Sequence, residues 1–361
     1  MSHSLKARTS ILLLAFGAAS FQALAQSGRV RGQAAPRNQA DRDSVRLRAE
    51  EVLLPICVRA DYGKLTAPLR RSDLIVTEDG KRRQVNDVIR TPANILFILD
   101  AGSERTLKDV NAHRDLALKM IESMGEDDRA AIITYADTVE ILSPWTADKG
   151  SLRHTLQMRF RPGLRSRFYD SLLYAAEELL PRVSGRRSVV IVGDGIEKVN
   201  SLGFEKALEA LHRARAIVYA ACPNEIQLSA IKPAAYNPLS LYEMIDPGAR
   251  KRIEALRAYY HQLEAGEVTL KGLAEETGGA SWTPATSDEF KSLADQIVRE
   301  IGTEYVIAYS SERPSDDEAF HPVKVYTTLP GIQARARRGI YSDQNEQQAS
   351  GDQKSGKTPH R

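Results

Sequence analysis

A chain of 361 residues carries 50 basic and 47 acidic side chains, a net charge of +3 that gives no electrostatic footprint for nucleic acid. Its 42% apolar content is that of an ordinary globular protein, with length for one large domain or two modest ones. Arginine clusters at Arg70-Arg71, Arg82-Arg83 and "ARARRG" near the C-terminus read as solvated strand edges and faces.

The N-terminus "MSHSLKARTS" holds Lys6 and Arg8 and no acid, and "ILLLAFGAASF" follows as a short apolar core. The small residues of "ALA" then offer cleavage before Gln26, so 1–25 reads as a secretory signal peptide, the alternative being a membrane anchor. The mature protein is expected to be exported, periplasmic or extracellular, with no stable membrane span. Residues 26–44 are polar and without period, a flexible linker. Residues 45–90 read as a small β unit, in which "DLIVTEDGKRRQV" is a strand, an Asp-Gly hairpin turn and a second strand.

From Asn94 strands and helices alternate. Ile95 to Leu99 is an apolar strand, and Leu107, Val110, Leu116, Met120, Ile121 and Met124 fall at helical spacing. "AAIITYA" and "VEILSPW" are strands, "DSLLYAAEELL" a helix, "SVVIVGDG" a buried strand, "GFEKALEALHRA" a helix and "AIVYAAC" a strand. Apolar strands covered by helices predict a doubly wound, mostly parallel α/β sheet over 91–302. Residues 224–246, with Pro233 and Pro238, read as a loop excursion. Its Tyr236, Leu239, Leu241 and Tyr242 form either an apolar binding patch or a cluster packed back on the domain. "PGARKRIEALRAYYHQLEA" is an amphipathic helix, "TLKGLAEETGG" a second one with a glycine stop, and "SDEFKSLADQIVREIG" a third with Ser287 as N-cap. Residues 303–341 return to β, and 342–361 are a polar, disordered tail. Neither β half has strands enough to bury a face, so the two are expected to pair into one β-sandwich-like unit.

Chemistry is expected beyond the C-terminal strand ends. Asp100, Ser166 and Asp194 fall there from separate segments, an oxygen-rich set suited to Mg²⁺ or Mn²⁺. There is no G-x-S-x-G, H-E-x-x-H or phosphate-binding glycine loop. His113, His154 and His212 read as solvated on polar helix faces. Cys57 and Cys222 sit in apolar runs, and a disulfide and buried free thiols both remain open.

The motifs "DLIVTEDGKRRQV", "ILFILDAGS", "DDRAAIITYAD", "SRFYDSLLYAA", "VVIVGDG", "LAEETGGASW", "EYVIAY" and "ARRGIY", in this order, resemble the exported VWFA-related family known from Acidobacteria. Its core is a von Willebrand factor type A domain. The resemblance implies an adhesion site of D-x-S-x-S, a threonine and an aspartate, whose metal is completed by a partner's carboxylate. Here Asp100 matches the first position, Gly102 and Glu104 stand at the two serines, Ser166 at the threonine and Asp194 at the last aspartate. Ser103 restores a hydroxyl if the loop shifts by one residue. The site is thus degenerate: metal-free, with Arg105, Arg165 or Arg167 neutralising the carboxylates, or a weak Mg²⁺/Mn²⁺ site, or carboxylates that only cap turns.

The function implied is recognition of a protein partner through 100–105, 164–168 and 194–199, with Arg105, Arg165, Arg167 and Glu197 as contacts. The alternatives are a metal-dependent hydrolase using Asp100, Glu104 and Asp194, and a structural cell-envelope component.

Overall fold

A computed structural model describes residues 50–60, 68–102, 109–197, 203–237, 246–312 and 319–341. The signal peptide, the linker, the tail, Leu107 and the stretch holding Leu239, Leu241 and Tyr242 lie outside the described residues. In chain order the first elements are β1 (Glu50–Ala60), β2 (Leu74–Glu78), β3 (Lys81–Arg83), β4 (Val85–Ile89), β5 (Ala93–Asp100), α1 (Val110–Ser123), β6 (Arg129–Tyr135), β7 (Val139–Thr146), α2 (Lys149–Arg159) and α3 (Phe168–Tyr174). There follow β8 (Arg186–Val192), α4 (Phe204–Arg213), β9 (Ile217–Ala221), α5 (Asn224–Tyr236), α6 (Pro247–Thr277), β10 (Ala280–Trp282) and α7 (Ser287–Ile301). The chain closes on β11 (Glu304–Ser311), β12 (Phe320–Thr327), β13 (Ile332–Ala336) and β14 (Gly339–Tyr341). No helix among the described residues is long and apolar enough to cross a membrane.

The central sheet has the order β10-β9-β8-β5-β6-β7, parallel except for the edge strand β7. β5 is buried at every position because helices cover both faces. Successive β5 residues serve opposite cores. Ile95, Phe97 and Leu99 pack with α1, α2 and α7, while Leu96 and Ile98 pack with α3, α4 and α6.

The two β segments do combine. β1 lies between β11 and β13, with Leu54 opposite Ile307, and β4 closes the sheet β13-β1-β11-β4. A second sheet, β14-β12-β2-β3, packs on it through Leu54, Ile56, Val76, Ile307, Tyr309 and Val323. The Asp79-Gly80 turn has φ of 53° and 76°, the type I′ geometry that matches the strands' twist.

Several expectations need correcting. Residues 224–236 are helix α5, with Pro233 inside it. What was read as two helices is the single 31-residue α6. The N-cap of α7 is Thr286, whose Oγ accepts the Glu289 N–H at 3.2 Å, one residue before Ser287. Of the two states left open for Cys57 and Cys222, the structure has the buried free thiols.

The junction between sandwich and sheet is polar. Glu304 is wholly buried at the start of β11; its Oε1 accepts from the Tyr219 hydroxyl at 2.7 Å and Ser188 Oγ at 2.8 Å. Tyr219 Oη also lies 2.9 Å from Cys57 Sγ. Burial raises the Glu304 carboxyl above the usual range, against the nearby Arg186, and burial pushes the Cys57 thiol up to about 12. His212, expected in solvent, is buried in edge contact with Phe320, ring centroids 5.7 Å apart. Burial, then the Arg337 charge, lowers its pKa to about 4. Arg337 is itself buried and donates to the His212 carbonyl at 2.7 Å, so this part of "ARARRG" is not a solvated edge.

Candidate functional site

β5 and β8 are neighbours whose onward connections leave toward opposite faces, through α1 and α4. An open α/β sheet takes ligands in the crevice beyond such a pair of strands. Asp100 ends β5, and Asp194 stands two residues beyond β8. Both side chains are buried, and both anchor their own turns. Asp100 Oδ1 accepts the Gly102 N–H at 2.8 Å, and Asp194 Oδ1 accepts the Ile196 N–H at 3.0 Å. A buried carboxylate without such bonds would cost several kcal/mol, so these turns are a condition of its presence.

Three loops interlock around the pair. Gly102 forms a parallel bridge with Gly163, whose N–H donates to the Ala101 carbonyl at 2.8 Å. A Cβ on Gly102 would stand 2.2 Å from the Arg165 carbonyl oxygen, so the close approach of the two loops requires glycine. Ser166 Oγ donates to the Ile196 carbonyl at 2.8 Å, tying the second loop to the third. Gly193 fits against the first: a Cβ there would lie 2.5 Å from the Tyr135 hydroxyl and 2.6 Å from Asp100 Cβ.

A second layer holds these loops, and most of it was not foreseen from the sequence. His113, buried rather than solvated, donates from Nδ1 to the Asp100 carbonyl at 2.8 Å and faces Phe290. Tyr135 ends β6 with its hydroxyl beside the carboxylates. Burial, then the charges of Asp100 and Asp194, raise its pKa, so it is a neutral phenol. Asn224 Nδ2 donates to the Asp194 carbonyl at 2.9 Å and to the Leu263 carbonyl at 2.8 Å. A Cβ on Gly266 would meet the Asp194 carbonyl oxygen at 2.1 Å, so α6 crosses the Asp194 loop at this glycine.

The structure thus gathers Asp100, Ser166 and Asp194 at one edge; Ser103, Glu104 and Arg105 lie outside the described residues. Arg167 does not serve the carboxylate pair: Nε donates to the Asp137 carbonyl at 2.6 Å and Nη1 to Asp170 Oδ2 at 3.0 Å. The Arg165 side chain is exposed. Glu197 Oε2 accepts the Tyr169 N–H at 2.7 Å, in the first turn of α3. Leu164 is 67% exposed although its N–H is fixed to Asp137 Oδ2 at 2.9 Å.

Among the described residues the oxygen donors of a divalent-cation site are few. Asp100 and Asp194 each commit an oxygen to a backbone N–H, and the first serine position is closed by the Arg165 carbonyl. Among the described residues no group of three His, Cys, Asp or Glu side chains is placed to hold a metal.

The family model for the von Willebrand factor type A domain matches residues 94–239. Among solved structures, the chain is similar to proximal thread matrix protein 1 from the mussel byssus at 12% identity and a TM-score of 0.44, covering 63% of this chain and 51% of that one. One form of that protein is described with a zinc-occupied MIDAS motif. An aerotolerance-related membrane protein from Bacteroides fragilis is similar at 15% identity and a TM-score of 0.38, covering 57% of this chain and 98% of that one. The chain spans about half the length of the mussel protein it matches. Among curated proteins no sequence matches significantly.

Proposed function

Because residues 94–239 are a von Willebrand factor type A domain, we propose that this chain is an exported recognition module that binds a protein partner through the loops at the C-terminal edge of its parallel sheet, without a resident metal. Leu164 carries the reading. It is 67% exposed, yet two backbone N–H groups, Gly163 bonded to the Ala101 carbonyl and Leu164 to the Asp137 carboxylate, fix the loop that presents it. Arg161 and Arg165 stand exposed on either side in sequence. An apolar anchor held rigidly inside a charged rim has the composition of a protein-binding patch and loses little entropy on docking. Arg165 is the charged neighbour of Leu164 in the chain, and Glu197 and Arg105 are assigned to the same contact surface by their loops in the sequence.

What supports the metal-free form is the donor set: Asp100 and Asp194 each commit an oxygen to a backbone turn, and Gly102 brings no hydroxyl to the first serine position. The hydrolase alternative wants a general base, and His113, the histidine at Asp100, is buried and directed at a carbonyl.

The test uses the mature protein as bait against the envelope fraction of its source. Wild type should retain a partner that Leu164→Ser and Arg165→Glu lose while melting normally. Identical captures by wild type and both variants would remove this edge as the binding surface. Calorimetry with Mg²⁺, Mn²⁺ and Zn²⁺ at millimolar concentration should give no heat, and saturable binding lost in Asp100→Ala would overturn the metal-free form.

A further inference from the structure

The β-sandwich holds a charged cavity that plays no part in the strand-end site. Arg83 on β3 is its fixed point. The Arg83 side chain is only 7% exposed, and its Nε reaches Glu78 Oε2, wholly buried on β2, at 3.1 Å. Glu78 Oε2 also accepts from Ser311 Oγ at 2.7 Å, so the buried carboxylate is well satisfied. Arg83 Nη1 extends to Glu312 Oε2 at 2.6 Å. Nη2 makes no hydrogen bond among the described residues. A guanidinium keeps its charge in a protein; that of Arg83 is balanced by Glu78 and Glu312, which leaves Nη2 as a fixed donor rather than a spare cation.

That fork lines an open cavity of about 410 Å³, together with Arg71, Ser72, Arg82, Gln84 and the buried Leu74. The volume lies in the range of small-molecule sites. Arg71 is exposed and steadied by one long bond, from Nη1 to the Asn86 carbonyl at 3.3 Å. Arg82 is exposed and makes no ion pair among the described residues. Glu78 and Glu312 pair with Arg83, and Arg71 and Arg82 make no ion pair among the described residues, while the Asp73 carboxylate in the turn of Arg71 accepts from the Arg70 N–H and the Ser72 hydroxyl. The turn Arg71–Asp73 and the β2–β3 hairpin bring these cations together from separate segments.

We propose that this cavity is an anion site that takes a phosphate group. A lone arginine fork matches a planar carboxylate, but the guanidinium groups of three arginines lining one cavity from different segments suit a tetrahedral anion with three or four acceptor oxygens. The phosphate belongs either to a free small molecule or to a lipid headgroup, and the chemistry of recognition is the same.

The experiment titrates the mature protein with inorganic phosphate at low ionic strength, with chloride at equal ionic strength as the blank. The wild type should bind with a Kd of about 1 mM or tighter. Arg71→Ala combined with Arg82→Ala removes two exposed cations and leaves the Arg83–Glu78 pair whole, so the variant should melt like wild type. Its affinity should fall at least about tenfold, the loss expected for a charge-assisted hydrogen bond. In a second arm, phosphatidylglycerol vesicles are compared with phosphatidylcholine vesicles. Sedimentation with the anionic vesicles alone, lost in the double variant, assigns the group to a lipid; binding of free phosphate without vesicle binding assigns it to a soluble ligand. No binding in either arm, or equal binding by the folded double variant, overturns the proposal.

Discussion

Gly266 offers a test in which two known effects oppose each other. Alanine for glycine inside a helix ordinarily stabilises it by about 0.8–1 kcal/mol. In α6, however, the added Cβ would stand 2.1 Å from the Asp194 carbonyl oxygen and 3.2 Å from Ile196 Cγ1. A carbon and a carbonyl oxygen settle at about 3.3 Å, so helix and loop must part by roughly 1 Å. Neither side yields freely. Asn224 holds the Asp194 and Leu263 carbonyls together, and a Cβ on Gly195, at φ +69°, would meet the Gly266 carbonyl oxygen at 2.5 Å. Overpacking of this kind costs about 1–3 kcal/mol against a propensity gain of about 0.8–1, so Gly266→Ala should lose up to about 2 kcal/mol. Gly272→Ala in the same helix is the control. Its Cβ meets only the edge of the half-buried Phe204 ring, at 3.2 and 3.4 Å, and the ring can turn aside. That variant should match or exceed wild type by up to about 1 kcal/mol. Urea unfolding followed by circular dichroism ranks the three proteins. Gly266→Ala at least as stable as Gly272→Ala would refute the close packing of α6 on the Asp194 loop.

Glu304 has a raised carboxyl pKa through burial, so the stability it contributes is present below the unfolded value and is lost as pH rises through the folded one. Glu304→Gln should flatten that decline in a pH series of melts, whereas Glu304→Ala strands the Tyr219 and Ser188 hydroxyls at a cost of about 2–4 kcal/mol. His212 runs the other way: with its pKa lowered to about 4, its contribution is complete above 6.5 and is lost as pH falls through 4. His212→Leu should remove the acid-side loss in the same melts; an unchanged profile would place the acid sensitivity elsewhere. Gly102→Ser restores a hydroxyl at the first serine position but drives Cβ toward the Arg165 carbonyl. It should destabilise by about 1–3 kcal/mol and gain no Mg²⁺ binding by calorimetry.

The doubly wound sheet was legible because its strands are buried on both faces. A run such as Ile95 to Leu99 cannot be mistaken for a surface strand, and β5 is buried throughout. The sandwich was legible by count, since neither β half buries a face alone. What misled were the glycines and prolines. Gly266 looks like a helix break because its reason is tertiary: it is the place where α6 crosses another backbone. Pro233 looks like a loop residue, but it costs α5 only the bond to Ser229 and falls in the last turns of the helix. A signal for His113 was present and unused. Val110, His113, Ala117, Met120 and Ile121 make one stripe at helical spacing, and His113 lies on it. His212 sits beside the stripe of Ala207 and Leu211, and its burial comes from Phe320 and Arg337 more than a hundred positions away in the chain, which local pattern does not carry.

The strand-end residues were found by position, and their use turns on backbone rather than on side-chain type. Metal grip and Leu164 presentation draw on the same atoms. The bridge of Gly102 to Gly163 and the Arg165 carbonyl fill the space where a serine side chain would begin. Opening that space means moving 163–165 away from the first loop. Gly163 would then give up its bond to Ala101, and Leu164 its bond to Asp137. A loop so released would still expose a leucine, but with the entropy of an unfixed segment to lose on docking, about 1–2 kcal/mol for each residue ordered. Three residues at that cost outweigh what a single exposed leucine returns on burial, about 1.5–3 kcal/mol. On the proposed reading the edge serves either a carboxylate-and-metal grip or a preorganised apolar anchor, and Gly102 favours the second by its contact with the Arg165 carbonyl.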